Sequence, residues 1–289
     1  MAQNIIFILT EGNHDSAFIY RILKANGFST YLKVINEFPK PLDAFLATDI
    51  LNVTFDEVKV QEAWTRFLPS YVLTSGNNTV LLYSIGGDSK SEIRIPLIKT
   101  INAFNVQDPD AIQALKDTNI SVLYFLDADD MGIAARSAQV KAELNSAFTK
   151  SKAPENFIHS TIYTIEDLKV GSYIFSDAGS DKGLLEDVLF PLMRQGNHDI
   201  FIEADKFIAS HENTVLFKGK QTVTNGVVKK VNGQKFSYKK SLVGTGGQLQ
   251  KSGKSNTVCI SDADYLDNGK ITGNATCVAI HQFIQQVII

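Results

Sequence analysis

The chain has little of what builds secreted or membrane-bound scaffolds. Its 289 residues include two cysteines, Cys259 and Cys277. Their spacing fits neither a disulfide framework nor a cysteine-ligated zinc site. No apolar run reaches the roughly 18 residues needed to cross a bilayer. The start, Met1-Ala2-Gln3-Asn4, carries no positive side chain, and the apolar run Ile5–Leu9 is too short for a signal-peptide core. The five histidines make no ligand pattern. These absences lead us to expect a reducing, cytoplasmic location and no membrane partner. There is no internal repeat or low-complexity tract. Apolar residues at 44% and charged residues at 20% describe an ordinary globular protein, long enough to bury a sizeable core as one large domain or two.

A further absence is local. From Asn213 to Ser261 there is no Asp or Glu, while nine lysines fall there: Lys218, Lys220, Lys229, Lys230, Lys235, Lys239, Lys240, Lys251 and Lys254. With a net charge of −3 overall, the rest of the chain carries about −12. An acidic body with a basic appendage suits a polyanionic partner such as nucleic acid. A solvated lysine-rich hairpin that only balances charge has the same composition. Lys218, Lys220, Lys229, Lys230, Lys239 and Lys240 are the candidate phosphate contacts.

Two phrases dominate what is present. Ile5-Ile6-Phe7-Ile8-Leu9-Thr10-Glu11-Gly12-Asn13-His14-Asp15 and Val122-Leu123-Tyr124-Phe125-Leu126-Asp127-Ala128-Asp129-Asp130 are both apolar runs that stop at carboxylates. Such runs read as strands buried on both faces. Ligands of open α/β sheets sit outside the carboxyl ends of these strands. Carboxylates gathered there repel unless they share protons or a cation, and Mg²⁺ is a hard ion suited to them.

The pattern predicts a strand near Asn4–Thr10, a helix near Ser16–Asn26 and a second strand over Tyr31–Ile35. Residues 38–70 read as an insertion with helical patterns. A strand over Thr79–Ile85 and a helix over Ser91–Phe104 follow, then a strand over Ile120–Leu126 and a helix over Ile133–Phe148. Short strands are expected at Thr161–Ile165 and Tyr173–Ser176, and a helix at Gly183–Met193. Asn225-Gly226 and Asn232-Gly233 signal tight turns of a small hairpin or meander. Gly244-x-Gly246-Gly247 interrupts any helix there and reads as a flexible turn. Val258–Ser261 reads as a last strand and Cys277–Ile288 as a closing helix.

Glu11-Gly12 ends the first strand, and glycine there permits close approach of a ligand. Asp15 fits a helix N-cap as well as a ligand. Asp127 and Asp129 are two apart, so on an extended backbone both point to one side. Asp130 suits a helix cap. A second Asp-x-Asp, Asp262-Ala263-Asp264, reads as a turn. His14, beside Glu11, is placed to tune it. Glu186 is either a ligand or a negative residue favoured in the first turn of a helix.

Asp-x-Asp after a strand also occurs in haloacid-dehalogenase-like phosphatases and in glycosyltransferases, but neither pattern includes Glu11-Gly12-x-x-Asp15. Strand–Glu11-Gly12-Asn13-His14-Asp15–helix, then strand–Asp127-Ala128-Asp129–helix, resembles the TOPRIM (topoisomerase–primase) domain over residues 4–150. Val170 to Asp177 and Gly183-Leu184-Leu185-Glu186-Asp187 look like a pattern in uncharacterised prokaryotic TOPRIM-related proteins, with Ser176 where those have proline. Overcoming-lysogenization-defect nucleases share the domain. The change of character after residue 212 divides the chain into a domain over 1–212, with the helical insertion near 38–70, and a basic α+β extension over 213–289 packed on it. Strands alternating with helical segments argue an α/β fold with a mostly parallel sheet flanked by helices, and the resemblance implies that this sheet is TOPRIM-like, of Rossmann-like form. Glu11 takes the role of general acid/base or metal ligand, and Asp127 and Asp129 hold Mg²⁺ or Mn²⁺. Asp15 and Glu186 are the candidates for a second ion. The implied activity is phosphodiester hydrolysis on nucleic acid. The rival readings are a metal-dependent nucleotide phosphohydrolase and a non-catalytic nucleic-acid-binding regulator.

Overall fold

A computed structural model describes residues 3–34, 37–38, 42–43, 45–46, 68–87, 90–105, 118–211, 221–224, 227–230 and 237–288. The chain opens with β1 (Gln3–Thr10), α1 (Asn13–Ala25) and a two-residue β2 (Ser29–Thr30). It continues through β3 (Tyr71–Ser75), β4 (Asn78–Ser84), α2 (Ser91–Asn105), β5 (Thr118–Asp127) and α3 (Ile133–Ala147). Then come β6 (Ile162–Ile165), β7 (Leu168–Phe175), α4 (Leu185–Arg194) and α5 (His198–His211). A hairpin of β8 (Gln221–Thr224) and β9 (Val227–Lys230) precedes α6 (Tyr238–Gly247), α7 (Asn256–Asp262), α8 (Asn268–Gly273) and α9 (Ala275–Gln285).

The main sheet runs β2-β3-β4-β1-β5-β7-β6. Among the described residues it is mixed. β4, β1, β5 and β7 are mutually parallel, whereas β2–β3, β3–β4 and β6–β7 pair antiparallel. The expectation of a mostly parallel sheet therefore holds for the centre and fails at the edges. Two edge pairs are joined by tight turns, at Gly76 (φ +57°) and at Glu166-Asp167 (φ +49° and +67°), and such short links permit only antiparallel neighbours.

The central strands explain their own composition. Ile5, Phe7 and Leu9 enter one hydrophobic core; Ile6 and Ile8 enter the other. Likewise Val122, Tyr124 and Leu126 face one side of the sheet and Leu123 and Phe125 the opposite side. Side chains alternate along a strand, so a strand covered on both faces must be apolar throughout.

The helix after β1, α1, packs on one face through Phe18, Ile19, Ile22 and Leu23. The helices after β4 and β5 pack on the other through Ile98, Ile101, Val140 and Leu144. Neighbouring strands that send their helices to opposite faces open a crevice at their carboxyl ends. Helices of the C-terminal region share the core of α1: Ile280, Phe283 and Ile284 are buried there with Phe125. Arg21 of α1 donates from Nε to Leu266 O (2.7 Å) and from Nη1 to Ser261 O (2.8 Å), tying the two regions together.

Several elements differ from expectation. Tyr31–Ile35 is not a strand over its described residues; pairing is confined to Ser29–Thr30, and Tyr31 N donates to Val72 O as the ladder ends. Val258–Ser261 lies within α7, with Cys259 and Ile260 buried. A short apolar run does not separate strand from helix by periodicity. The Gly244–Gly247 segment is helical and tightly packed. A Cβ on Gly246 would lie 2.5 Å from Phe201, and one on Gly247 would lie 2.6 Å from Cys259. These glycines serve helix approach. β3 and α5 were not foreseen. Most of the 38–70 insertion, both Asn-Gly turns, and Lys218, Lys220 and Lys235 lie outside the described residues. No helix among those described is long and apolar enough to cross a membrane.

Candidate functional site

Parallel register brings the ends of β1, β4, β5 and β7 to one rim: Thr10 is opposite Ser84 and Phe125, and Asp127 is opposite Phe175. Glu11 follows β1. Its Oε1 accepts from Asp127 N at 3.1 Å, so the two acidic phrases meet directly. Gly12 N donates to Asp15 Oδ2 (2.9 Å), and Asp15 stands in the first turn of α1. Asp15 is therefore not the N-cap, which is Gly12; it stands at the third helical position and accepts from the N–H of the cap. Its other oxygen, Oδ1, is buried with no hydrogen-bond partner.

Asp127 closes β5 with 8% of its surface exposed. Its Oδ1 accepts from Leu185 N at 2.7 Å, which places a carboxylate at the positive end of α4. Glu186, in the first turn of α4, is 2% exposed; its Oε1 lies 3.3 Å from His14 Nδ1 and 3.9 Å from Lys240 Nζ. Its Oε2 is buried without a partner. His14 therefore contacts Glu186, not Glu11.

Glu11, Asp15, Asp127 and Glu186 act on one another. Burial, then the Asp15 and Glu11 charges, push the Asp127 carboxyl up to about 9. Burial and the Glu11 charge push Asp15 to about 7. Glu11 is raised by burial and opposed by Arg136. Buried like charges favour the protonated form, so Asp127 keeps its proton at neutral pH in the absence of a cation.

Asp129 is placed differently from its prediction. Its φ of +49° takes the chain out of the extended region, and it forms an antiparallel bridge with Gly183. The premise that Asp127 and Asp129 share an extended backbone and one direction does not hold. Asp129 Oδ2 accepts from Arg136 Nη2 at 2.5 Å. Asp130 is exposed and does not cap α3, whose N-cap is Gly132. Asp129 and Asp130 line a cleft of about 360 Å³ with Asp177, Lys182, Asp187 and Lys239. Lys239 pairs with Asp187. The structure thus brings Lys239 and Lys240 of α6 to the acidic rim. Lys229 and Lys230 lie on β9.

Two residues at the rim were missed. Arg94 and Arg136 are 2% and 1% exposed, and each is the fourth residue of its helix. A cation opposes the helix dipole there, and that repeated placement was the signal available in sequence. Arg94 forms a two-pronged pair with Glu143 (2.9 and 2.6 Å) and donates to Gly87 O at 2.9 Å. A Cβ on Gly87 would lie 3.0 Å from Glu11 Oε2, so Arg94 fixes the turn that packs on Glu11. Among the described residues, no three His, Cys, Asp or Glu side chains form a ready-made metal-holding group. The donor chemistry nevertheless suits a hard divalent cation: buried carboxylate oxygens, two of them without partners.

A family model described as "Protein of unknown function (DUF3226)" matches residues 6–274, taking in both the sheet and most of the C-terminal helices. No curated protein matches the chain. No solved structure matches it either.

Proposed function

The chain belongs to DUF3226, a family of proteins of unknown function, and we propose that it is a Mg²⁺- or Mn²⁺-dependent phosphodiesterase acting on nucleic acid, of the TOPRIM type. One observation carries this reading. Glu11, Asp15, Asp127 and Glu186 are gathered at the carboxyl rim of the parallel strands, where Asp15 Oδ1 and Glu186 Oε2 are buried without hydrogen-bond partners. Isolating such oxygens from water costs free energy, and a bound cation would offset it.

Asp127, Asp15 and Glu186 would hold the cation, with Asp129, from the turn after β5, as a further ligand. A bound divalent ion supplies charge neutralisation at the phosphoryl group and activates water. Glu11 retains a proton more readily than an exposed carboxylate, which suits proton transfer to or from the reacting oxygen. Lys239 and Lys240, about half-exposed beside the acidic start of α4, would hold the polymer's phosphates. Lys218, Lys220, Lys229 and Lys230 extend that basic contribution along the chain. Binding through phosphates is salt-sensitive and largely sequence-independent. The free thiols Cys259 and Cys277 suit a reducing compartment, and a cytoplasmic location is part of the proposal.

The test is cleavage of labelled single- and double-stranded DNA and RNA with Mg²⁺, Mn²⁺ or EDTA, beside Asp127→Asn. Metal-dependent cleavage lost in the variant supports the reading. Cleavage by Asp127→Asn at the wild-type rate refutes the assignment. Turnover of nucleotides but not polymers moves the site to nucleotide hydrolysis. One observation favours a non-catalytic nucleic-acid-binding regulator instead: Asp127 and Asp129 are already engaged by Leu185 N and Arg136. Tight nucleic-acid binding without product under every metal would select it.

A further inference from the structure

Asp127 and Asp129 are neighbours in sequence, yet their carboxylates answer to different partners. Asp127 is bound by the start of α4, and Asp129 by a buried arginine. That guanidinium, on Arg136, reaches several groups at once. Its Nε donates to Asp127 O at 2.8 Å and its Nη1 to Gln139 Oε1 at 2.8 Å. Its Nη2 holds Asp129 Oδ2 at 2.5 Å and lies 3.9 Å from Glu11 Oε1. One cation therefore connects the end of β5, the Asp129 turn and the carboxylate that follows β1.

The allocation is uneven. Asp129 has the most exposed side chain of the group at 41%, against 18% for Glu11 and 2% for Glu186. This most accessible carboxylate is occupied by an internal cation. Deeper in, Asp15 Oδ1 and Glu186 Oε2 lack any hydrogen-bond partner. Removing a buried counter-charge leaves its carboxylates uncompensated, and the carboxylates that Arg136 compensates are those of Asp129 and Glu11. Any divalent cation that uses Asp129 has to compete with it.

We propose that Arg136 is a positioning residue that stands in for the cation. It clamps Asp129 in a resting arrangement, and cation binding exchanges the Asp129–Arg136 bond for an Asp129–cation bond. The guanidinium stays tied to Asp127 O and Gln139 through the exchange, next to Glu11. This inference rests on the metal reading above and deepens it: the site loads its ion by displacing an ion pair, which weakens resting affinity.

The experiment is Mn²⁺ and Mg²⁺ titration calorimetry on the full chain and on Arg136→Gln. Folding of both is checked by circular dichroism. Removing one resident positive charge should tighten Mn²⁺ binding on the order of tenfold. Equal or weaker binding by the folded variant overturns the inference while leaving the metal reading intact. Absence of binding in both proteins overturns the metal reading and this inference with it. Binding by the variant alone supports the clamp in its strongest form. If Arg136→Gln does not fold, nuclear magnetic resonance of arginine Nε–H groups in the wild type decides. Mg²⁺ should shift the Arg136 signal and leave that of Arg94 in place. Bound Mg²⁺ with an unmoved Arg136 signal overturns the exchange.

Discussion

Asp127→Asn should make the metal-free protein more stable at pH 8 while removing its proposed activity. In the folded state burial and neighbouring carboxylates raise Asp127 from 3.8 to about 9. The folded chain keeps a proton there that the unfolded chain releases. Because the folded value is the higher one, the associated stability is fully present below the unfolded value and is lost as pH rises through the window from about 4 to about 9. Each pKa unit corresponds to about 1.4 kcal/mol. At pH 8 the wild type should therefore carry a penalty of several kcal/mol that a neutral amide avoids. The amide of the variant keeps an oxygen to accept from Leu185 N, which lies 2.7 Å from Asp127 Oδ1 in the wild type. We expect a gain of at least ~2 kcal/mol, or roughly 4–8 °C in Tm for a chain of this size. The assay is thermal unfolding in EDTA at pH 4 and pH 8. The difference should be large at pH 8, small at pH 4, and reduced by Mg²⁺, which stabilises the wild type by binding its folded state. An equal or lower Tm for the variant at pH 8 would refute the argument that Asp127 is a strained, buried acid.

Other substitutions separate structure from chemistry. Gly87→Ala places a Cβ 3.0 Å from Glu11 Oε2. It should cost about 10- to 100-fold in kcat through misplacement of Glu11 while leaving the circular dichroism spectrum unchanged. The double variant Lys239→Ala/Lys240→Ala should weaken polynucleotide binding across sequences and lower the salt slope by about 2, read by fluorescence anisotropy over a salt series. Gly246→Ala, whose Cβ would meet Phe201 at 2.5 Å, should destabilise by about 1–3 kcal/mol in urea unfolding. Its affinity for phosphate-bearing ligands should stay at the wild-type value, since this glycine serves helix packing.

Much of the scaffold was readable from residue order because local chemistry imposed it. β1 and β5 are apolar throughout, as strands covered on both faces must be, and both end in carboxylates at the rim where open sheets bind ligands. The helices over Ser91–Asn105 and Ile133–Ala147 came within a residue of expectation. Elements whose sequences suit two structures were not readable. Val258–Ser261 became helix because it packs within α7 in the C-terminal layer, and the glycines of α6 fit a helix because Phe201 and Cys259 press against them.

The sequence alone determined that acidic groups would end two buried strands and that a lysine-rich, acid-free stretch would follow. Only the tertiary structure decided how those groups are paired. Glu186 reaches His14 across 172 positions, Glu11 receives the Asp127 N–H across 116, and Lys239 and Lys240 arrive from α6. Asp129 turns to Arg136 because its backbone leaves the extended region, which the two-residue spacing did not encode. Local spacing sets the direction of a side chain while the backbone stays regular. Once a chain turns, its partners depend on contacts distant in sequence.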